Sequence, residues 1–347
     1  MNKIIIEKEF LDHNLRIIKK YLADNSMDNK VPNIIAVVKG NGYGLGLVEF
    51  SSYLHDNRIE TFAVTDTQDA IKLKNIGIKD ILILNGTELN DELQCIVDND
   101  FIASCGSIEA INKLNQLGLS SNKIIRIHLK IDTGFSRYGF IASKILNDES
   151  VFNDLIKTIK ESNNLKIAGI YTHFQESYAD DSKRTNEQFK LFMDVVSKIE
   201  QAGVSVGIRH VANSYAFLKY PNMFLDAVRI GGIFSGRVVN NIGLKKAGYL
   251  ESEISTIKGL PKGSLIGYSG TYITKKDTKV AVIPAGYYEG VDVHGPRDKV
   301  RLIDKLRTLR DAIVKFFKDD RHFVTVNGSK VPVLRANWHE NFCDRRI

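Results

Sequence analysis

The sequence predicts an α/β fold, an N-terminal (β/α)8 TIM barrel followed by a smaller, mostly β C-terminal domain that is cut short. Three observations carry this expectation. Over residues 1–240, short β-branched runs alternate with amphipathic runs, which implies parallel strands joined by helices. Eight such strand–helix units can be counted, the number that closes a barrel. From residue 241 the helical period gives way to short strand-like segments separated by turn residues, which reads as a separate β domain over 241–347. A doubly wound open sheet is the alternative. Against it, the glycine-rich loop after Val38 lacks the GxGxxG spacing and the later acidic residue that dinucleotide binding requires.

In chain order, Ile4–Ile6 reads as a first strand, and Asp12 as the N-cap of a helix with Leu15, Ile18 and Leu22 on one face. The barrel strands are expected at Ile34–Val38, Thr61–Val64, Ile81–Leu84, Phe101–Ser104, Ile124–Ile131, Ile167–Tyr171, Gly207–His210 and Asp226–Ile230. Amphipathic runs between them are Leu47–Leu54, Thr67–Ile76, Ser107–Leu117, Ile145–Glu161 and Asn186–Ala202. In the β domain, strands are expected at Ser264–Ile266, Thr271–Thr274, Val280–Ile283, Val324–Val326 and Val331–Leu334, with turns at Pro261-Lys262-Gly263 and Asn327-Gly328. An inserted helix over 297–321 places Ile303, Leu306, Leu309, Ile313 and Phe316 at helical spacing. It reads as a helix that packs this stripe on the β domain and solvates its charged face.

Bulk properties exclude several classes. The 48 Lys+Arg against 41 Asp+Glu leave a net charge of +7, but the charges are interspersed, so no nucleic-acid partner is expected. Cys95, Cys105 and Cys343 are odd in number and lack metal-type spacing, which argues against both a disulfide framework and zinc and for a reducing cytoplasmic location. The apolar run at the start is too short for a signal peptide, and no stretch is long enough to span a membrane.

If the barrel forms, polar residues at the C-terminal ends of its strands converge on one site. Lys39 stands where a buried strand opens into the loop Gly40-Asn41-Gly42-Tyr43-Gly44. Partial desolvation there lowers an ammonium's pKa and frees the amine for Schiff-base chemistry, although a rim lysine paired with a carboxylate is an equally ordinary use of the position. Strand five brings Lys130 and leads through Asp132-Thr133-Gly134 to Arg137; strand six ends at Thr172-His173, strand seven at His210 with Asn213-Ser214 beyond. Strand eight ends at Arg229, followed by Gly231-Gly232. Ser214 at a helix N-terminus and the unobstructed amides of Gly231 and Gly232 can cradle a phosphate. A phosphate cup opposite a strand-one lysine points to pyridoxal 5′-phosphate.

At these residues the sequence resembles the alanine racemase family of fold-type III pyridoxal-phosphate enzymes, from Lys3 to Leu334. The matching blocks are Ala36–Gly46, with glycines at 40 and 42 where alanines are more usual, Leu129–Gly139, Gly169–Phe174, Asn213-Ser214 and Val228–Gly231. In the β domain they are Gly267–Tyr272 and Ile283–Gly290. The resemblance implies that Lys39 holds the cofactor covalently and serves as one proton-transfer base. Tyr268 would be the other base, entering from the partner subunit of a head-to-tail homodimer. Arg229 would face the pyridine nitrogen, which such a permanent cation keeps unprotonated. Arg137 would touch the cofactor's phenolic oxygen or the substrate side, positioned by Lys130, a lysine that many members carry carbamylated. Tyr43, Ser214, Gly231 and Gly232 would take the phosphate, His173 would support Arg229 or Tyr268, and Tyr287 would be a further active-site tyrosine. The implied reaction is racemisation of a small amino acid, alanine first and serine second, which would supply D-alanine for peptidoglycan; a catalytically impaired or non-catalytic cofactor-binding relative is the remaining alternative.

The chain departs from that pattern at Arg335, where the family continues with a Gly-Arg-Val-x-Met-Asp-like block. Read one base out of frame with permitted codons, Arg335–Asp344 gives Gly-Arg-Ile-Gly-Met-Lys-Ile-Ser-Val-Ile, which resembles the missing block. The tail over 335–347 is therefore expected to be frameshifted or divergent, and the gene's nucleotide sequence distinguishes the two.

Overall fold

The computed structural model describes residues 2–27, 30–179, 182–238, 241–267, 272–291, 323–336 and 341–344. The expected helix over 297–321 and Tyr268 lie outside them. The chain divides into two units, Ile6–Gly248 and a second made of Met1–Ile5 with Tyr249–Ile347.

The first strand, β1 (Lys3–Ile6), is followed by helix α1 (Lys8–Asp24), which buries Leu11, Leu15, Ile18 and Leu22 on one face. Asp12 is not its N-cap. Glu7 holds that position and its side chain does not cap the helix, so the helix start carries none of the usual capping signature. Asp12 sits inside the helix instead, accepting the Tyr53 hydroxyl at 2.8 Å and pairing with Lys8.

The barrel strands are β2 (Asn33–Val37), β3 (Thr61–Val64), β4 (Asp80–Ile83), β5 (Ile102–Cys105) and β6 (Ile125–Asp132). After the short β7 (Phe140–Ile141) come β8 (Leu165–Tyr171), β9 (Ile208–His210) and β10 (Ala227–Ile230). All pair in parallel in the order β10-β2-β3-β4-β5-β6-β8-β9, with β7 off the path on β6. Backbone bonds from Asp226 N to Arg209 O and from Arg229 N to Ala212 O join the two ends of this series. Between strands run α2 (Leu47–Asp56), α3 (Thr67–Asn75), α4 (Asn90–Asp98), α5 (Ile108–Ser121), α6 (Ala142–Asn147), α7 (Glu149–Glu161), α8 (Lys183–Gln201) and α9 (Ser214–Lys219). The run expected as one helix over Ile145–Glu161 is two, because Asp148 leaves helical geometry and its carboxylate caps α7 by accepting from Ser150 and Val151.

Strand positions sort by period 2. Ala36, Val38, Phe62, Val64, Ile81, Ile83, Ile127 and Leu129 join the large core formed with the helices. Ile35, Val37, Ala63, Leu82, Ile102 and Ala227 form a separate cluster inside the barrel.

In the second unit, β1 pairs with β11 (Gly248–Glu251). A five-stranded sheet is built from β12 (Thr256–Leu260), β15 (Thr278–Ile283), β16 (Phe323–Val326), β17 (Ser329–Ala336) and β18 (Asn341–Asp344), in the order β12-β15-β18-β17-β16. A small hairpin joins β13 (Leu265–Ile266) to β14 (Tyr272–Ile273). Asn327 and Gly328, at φ of +47° and +78°, make the tight turn between β16 and β17. The departing tail contributes β18, whose backbone pairs between β15 and β17.

Candidate active site

The residues that follow the strands' C-terminal ends converge on one cavity in the barrel unit. It is lined by Lys39, Tyr43, Lys130, Arg137, His173, Ser214, Arg229 and Gly231, with Val37, Thr65, Leu84, Asn85, Tyr171 and Asn213. Of the other residues singled out in the sequence, Gly232 stands beside the cavity with Tyr43 3.9 Å from where its Cβ would lie. Tyr287 belongs to the β unit, in the turn Tyr287–Glu289.

Lys39 begins a single left-handed turn. Gly40, Asn41, Gly42 and Tyr43 follow at φ of +62°, +53°, +64° and +56°. The Asn41 side chain accepts from the N–H of Leu47 and Arg237 donates to the Tyr43 carbonyl, so the turn is tied at both ends. This turn sends Tyr43 back to the end of β10, where a Cβ on Gly231 would come 2.7 Å from the phenolic oxygen. Glycine is required there because the ring takes the space of a side chain.

Beside it, Asn213 caps α9, accepting from the amides of Tyr215 and Ala216. Ser214, expected at the helix start, is thereby left free of capping, and its Oγ accepts the Gly231 N–H at 3.1 Å. Tyr43 and Ser214 thus bring two hydroxyls to one end of the cavity, beside Gly231, whose N–H is taken up by Ser214.

Arg229 is buried on β10. Its Nη1 donates to His210 Nδ1 at 2.8 Å and to the His210 carbonyl, and its Nη2 donates to the Thr172 carbonyl at 2.8 Å, with His173 Nδ1 at 3.4 Å. A guanidinium can only donate, so His210 Nδ1 is an acceptor and His210 carries its proton on Nε2, which donates to His128 Nδ1 at 2.9 Å. Burial and the Arg229 charge push His128 and His173 down to about 3, and hold His210 well below its usual range. All three rings are therefore neutral at ordinary pH.

Lys130 is buried, donates to the Leu84 carbonyl at 2.9 Å, and is pushed down to about 7 by burial and then by Arg229 and Arg137. Lys39 is likewise lowered, by burial first and then by Arg137 and Arg229. Burial raises the Tyr43 phenol, and raises Tyr171 to about 12.

Sequence reasoning passed over Tyr171 and His128 and gave His210 no role. Tyr171 stacks on His210 at 4.9 Å and shares hydrogen bonds with Ser104 and the Leu84 carbonyl. A signal did exist: along β6 the polar residues Arg126, His128, Lys130 and Asp132 occupy every second position, the pattern of one face.

The residues fit pyridoxal 5′-phosphate. Lys39, Lys130, Arg137 and Arg229 line the cavity, and none of its described lining residues is a carboxylate. That excess of positive charge suits a ligand carrying a phosphate and a phenolic oxygen. The Tyr43 and Ser214 hydroxyls beside Gly231 suit the phosphate, and the depressed Lys39 amine suits a carbonyl. Among the described residues no cluster suits a metal ion, and Cys95 and Cys105 are free thiols. No described helix is long and apolar enough to cross a membrane.

Comparison with known proteins gives the same direction. Residues 6–237 match the family model "Alanine racemase, N-terminal domain", and residues 247–334 match "Alanine racemase, C-terminal domain", which stops where the tail departs. The chain is 32% identical to an alanine racemase of Methanococcus maripaludis over 82% of this chain and 75% of the relative. It is 30% identical to alanine racemase 1 of Caldanaerobacter subterraneus subsp. tengcongensis, over 84% of this chain and 73% of the relative. The solved structure of an alanine racemase from Clostridium difficile 630 superposes with a TM-score of 0.81 at 26% identity, covering 100% of this chain and 83% of that one.

Proposed function

The chain belongs to the alanine racemase family of pyridoxal-phosphate-dependent isomerases, and from that premise we propose that it interconverts L- and D-alanine by a two-base transfer of the α-proton. The observation that carries the reading is a depressed lysine, Lys39, in a cavity that Lys130, Arg137 and Arg229 also line, with the Tyr43 and Ser214 hydroxyls at one end. Tyr43, Ser214 and the amides of Gly231 and Gly232 would hold the phosphate, and Lys39 would hold the carbonyl carbon.

Bound pyridoxal 5′-phosphate supplies the electron sink that lets an α-proton leave the amino acid. Racemisation further requires one proton carrier on each face of the α-carbon. Lys39 serves one face, its proton loosened by burial and by two neighbouring guanidinium groups. To Tyr268 we assign the other face, on the resemblance of the block Gly267–Tyr272, with the residue contributed by a second copy of the chain in a homodimer. When one carrier accepts the α-proton as base, the other returns its own proton to the opposite face, so the residues exchange protonation states and nothing is consumed. Arg229 keeps its proton throughout, which leaves the electron sink weaker and disfavours competing reactions. Arg137, with Lys130 beside it, would take the substrate carboxylate or the phenolic oxygen. The product D-alanine would enter peptidoglycan synthesis, in the cytoplasm.

The test is exchange of the α-hydrogen with deuterated solvent for both enantiomers of alanine and of serine, on the purified full chain. Alanine is expected to exchange and to reach a racemic mixture. Lys39→Ala should reduce the rate at least about 1,000-fold and abolish the visible band of covalently held cofactor. Faster turnover of serine would reassign the substrate. A normal visible band without exchange of any amino acid would make the protein a non-catalytic cofactor binder.

A further inference from the structure

Sheet pairing between β6 and β8 ends at Lys130 opposite Tyr171. Past that pair the two chains are joined by side chains. The Thr133 and Thr172 hydroxyls share a hydrogen bond of 2.8 Å, and the rings of Phe135 and His173 meet edge to face at 5.1 Å. A third tie comes from outside the barrel. Gln188 on α8 donates from Nε2 to Thr133 Oγ1 at 3.1 Å and accepts the Gln175 N–H on Oε1 at 3.0 Å. A backbone N–H can only donate, so this amide has one orientation: its oxygen faces the loop after β8 and its nitrogen the loop after β6.

Gln188 is 2% exposed and stands on the stripe by which α8 buries Phe192, Val195, Val196 and Ile199. An apolar residue would pack there with no need of partners, whereas a buried amide must find them. What the clamp holds is the mount of Arg229. The guanidinium takes the Thr172 carbonyl at 2.8 Å and lies 3.4 Å from His173 Nδ1, both just past the end of β8 at Tyr171 and before the clamp at Gln175. Released from the clamp, these two acceptors can drift from Arg229, whose other partners, on His210, lie on β9.

We propose that Gln188 is a positioning residue: from the outer helix α8 it clamps the loop after β6 to the loop after β8 and thereby keeps Thr172 and His173 on the Arg229 guanidinium. The clamp rests on geometry alone; its effect on the bound cofactor rests on the racemase reading.

The test compares Gln188→Met, which keeps the length of the side chain and removes both hydrogen bonds, with Val195→Ala, which opens a cavity on the same stripe two turns further along α8 and leaves the clamp intact. Both should lower the melting temperature. In Gln188→Met, kcat for both alanine enantiomers should fall about tenfold with KM changed less than about threefold, because a misplaced Arg229 acts on the reacting state. Pyridoxal phosphate, followed by visible absorbance, should leave diluted holoenzyme about fivefold faster. Val195→Ala should stay within about twofold of the parent in all three, per folded molecule. Thr133→Val removes the partner at the other end and should reproduce the Gln188→Met changes by itself; combining the two should cost no more than about twofold beyond the larger single loss. If the parent racemises nothing, the racemase reading fails and the cofactor-release comparison alone decides the clamp. Equal effects of Gln188→Met and Val195→Ala, losses from Gln188→Met and Thr133→Val that multiply independently, or a Gln188→Met protein indistinguishable from the parent would overturn the proposal. A parent that binds no pyridoxal phosphate would overturn both readings.

Discussion

The two halves of the barrel's interior are made of opposite materials. On the side of β2 to β5, the inward positions Ile35, Val37, Ala63, Leu82 and Ile102 form an apolar cluster. On the other side, β6, β8, β9 and β10 bury His128, Lys130, Tyr171, His210 and Arg229. Apolar burial stabilises a fold directly, whereas buried polar groups must recover their lost hydration through partners, and an unneutralised cation recovers it poorly. The polar half recovers part of that cost through the Arg229, His210 and His128 hydrogen bonds and the aromatic faces around Lys130 and Arg229. A surplus of positive charge remains, which a bound anion would neutralise. The first half therefore holds the barrel together, and the second half is kept for the ligand at some expense to stability. Lys39, just past the end of β2, is the one charged group among the described lining residues that the apolar side sends to the cavity.

This division is broken most directly by Arg229→Gln. Removing the cation should lower racemisation about 1,000-fold while leaving the melting temperature unchanged or higher, because an uncompensated buried charge disappears along with its hydrogen bonds. A fall of about 10 °C in melting temperature would show instead that Arg229 is chiefly a structural strut. Leu82→Ala, in the opposite half, should do the reverse. Its side chain is fully buried, and truncation should cost about 2–5 kcal/mol in urea unfolding with kcat per folded molecule within about twofold. Comparable losses of activity from both variants would erase the distinction.

Acid sharpens the comparison, because only one half titrates. In the folded chain His128 and His173 are pushed down to about 3 and His210 lies well below its usual range, while all three return to an ordinary value near 6.5 on unfolding. Below that value the unfolded chain takes up protons that the folded chain refuses, so stability is fully present above it and is lost as pH falls towards about 3. Each histidine contributes at most about 1.4 kcal/mol per pH unit in this window. Urea unfolding of the parent at pH 5, 6 and 7 should show the decline, and His128→Gln should reduce its slope; equal stability at pH 5 and pH 7 would contradict it.

The apolar half was also the more legible in sequence. Strands β2 to β5 are short, mostly apolar runs buried on both faces, so hydrophobicity alone located them to within a residue at each end. Lys39 and Arg229 could be singled out because they stand at strand ends, where a barrel concentrates its chemistry. Helix α4 escaped notice because it is short, its N-cap Leu89 carries no capping side chain, and polar residues separate its buried positions. The alternation along β6 marks His128 as belonging to a polar face, and Tyr171 ends β8, but their partners lie 82 and 87 residues away in sequence. No local pattern reports such contacts. The left-handed turn after Lys39 was foreseeable only as a bend, since glycine permits positive φ without fixing it.

The finest test falls at the seam between the halves, where Ser214 on α9 accepts from Gly231 beyond β10. Ser214→Ala deletes one hydroxyl. The helix start keeps its cap through Asn213, so the melting temperature should stay within about 2 °C of the parent. What disappears is one hydrogen bond to the proposed phosphate and the acceptor for the Gly231 N–H. A single such bond is worth about 1 kcal/mol net, so pyridoxal phosphate should leave diluted holoenzyme about fivefold faster, with kcat at saturating cofactor nearly unchanged. A fall in kcat of about 100-fold at full occupancy would mean that Ser214 takes part in proton transfer, and would move the reacting centre from Lys39 towards β10.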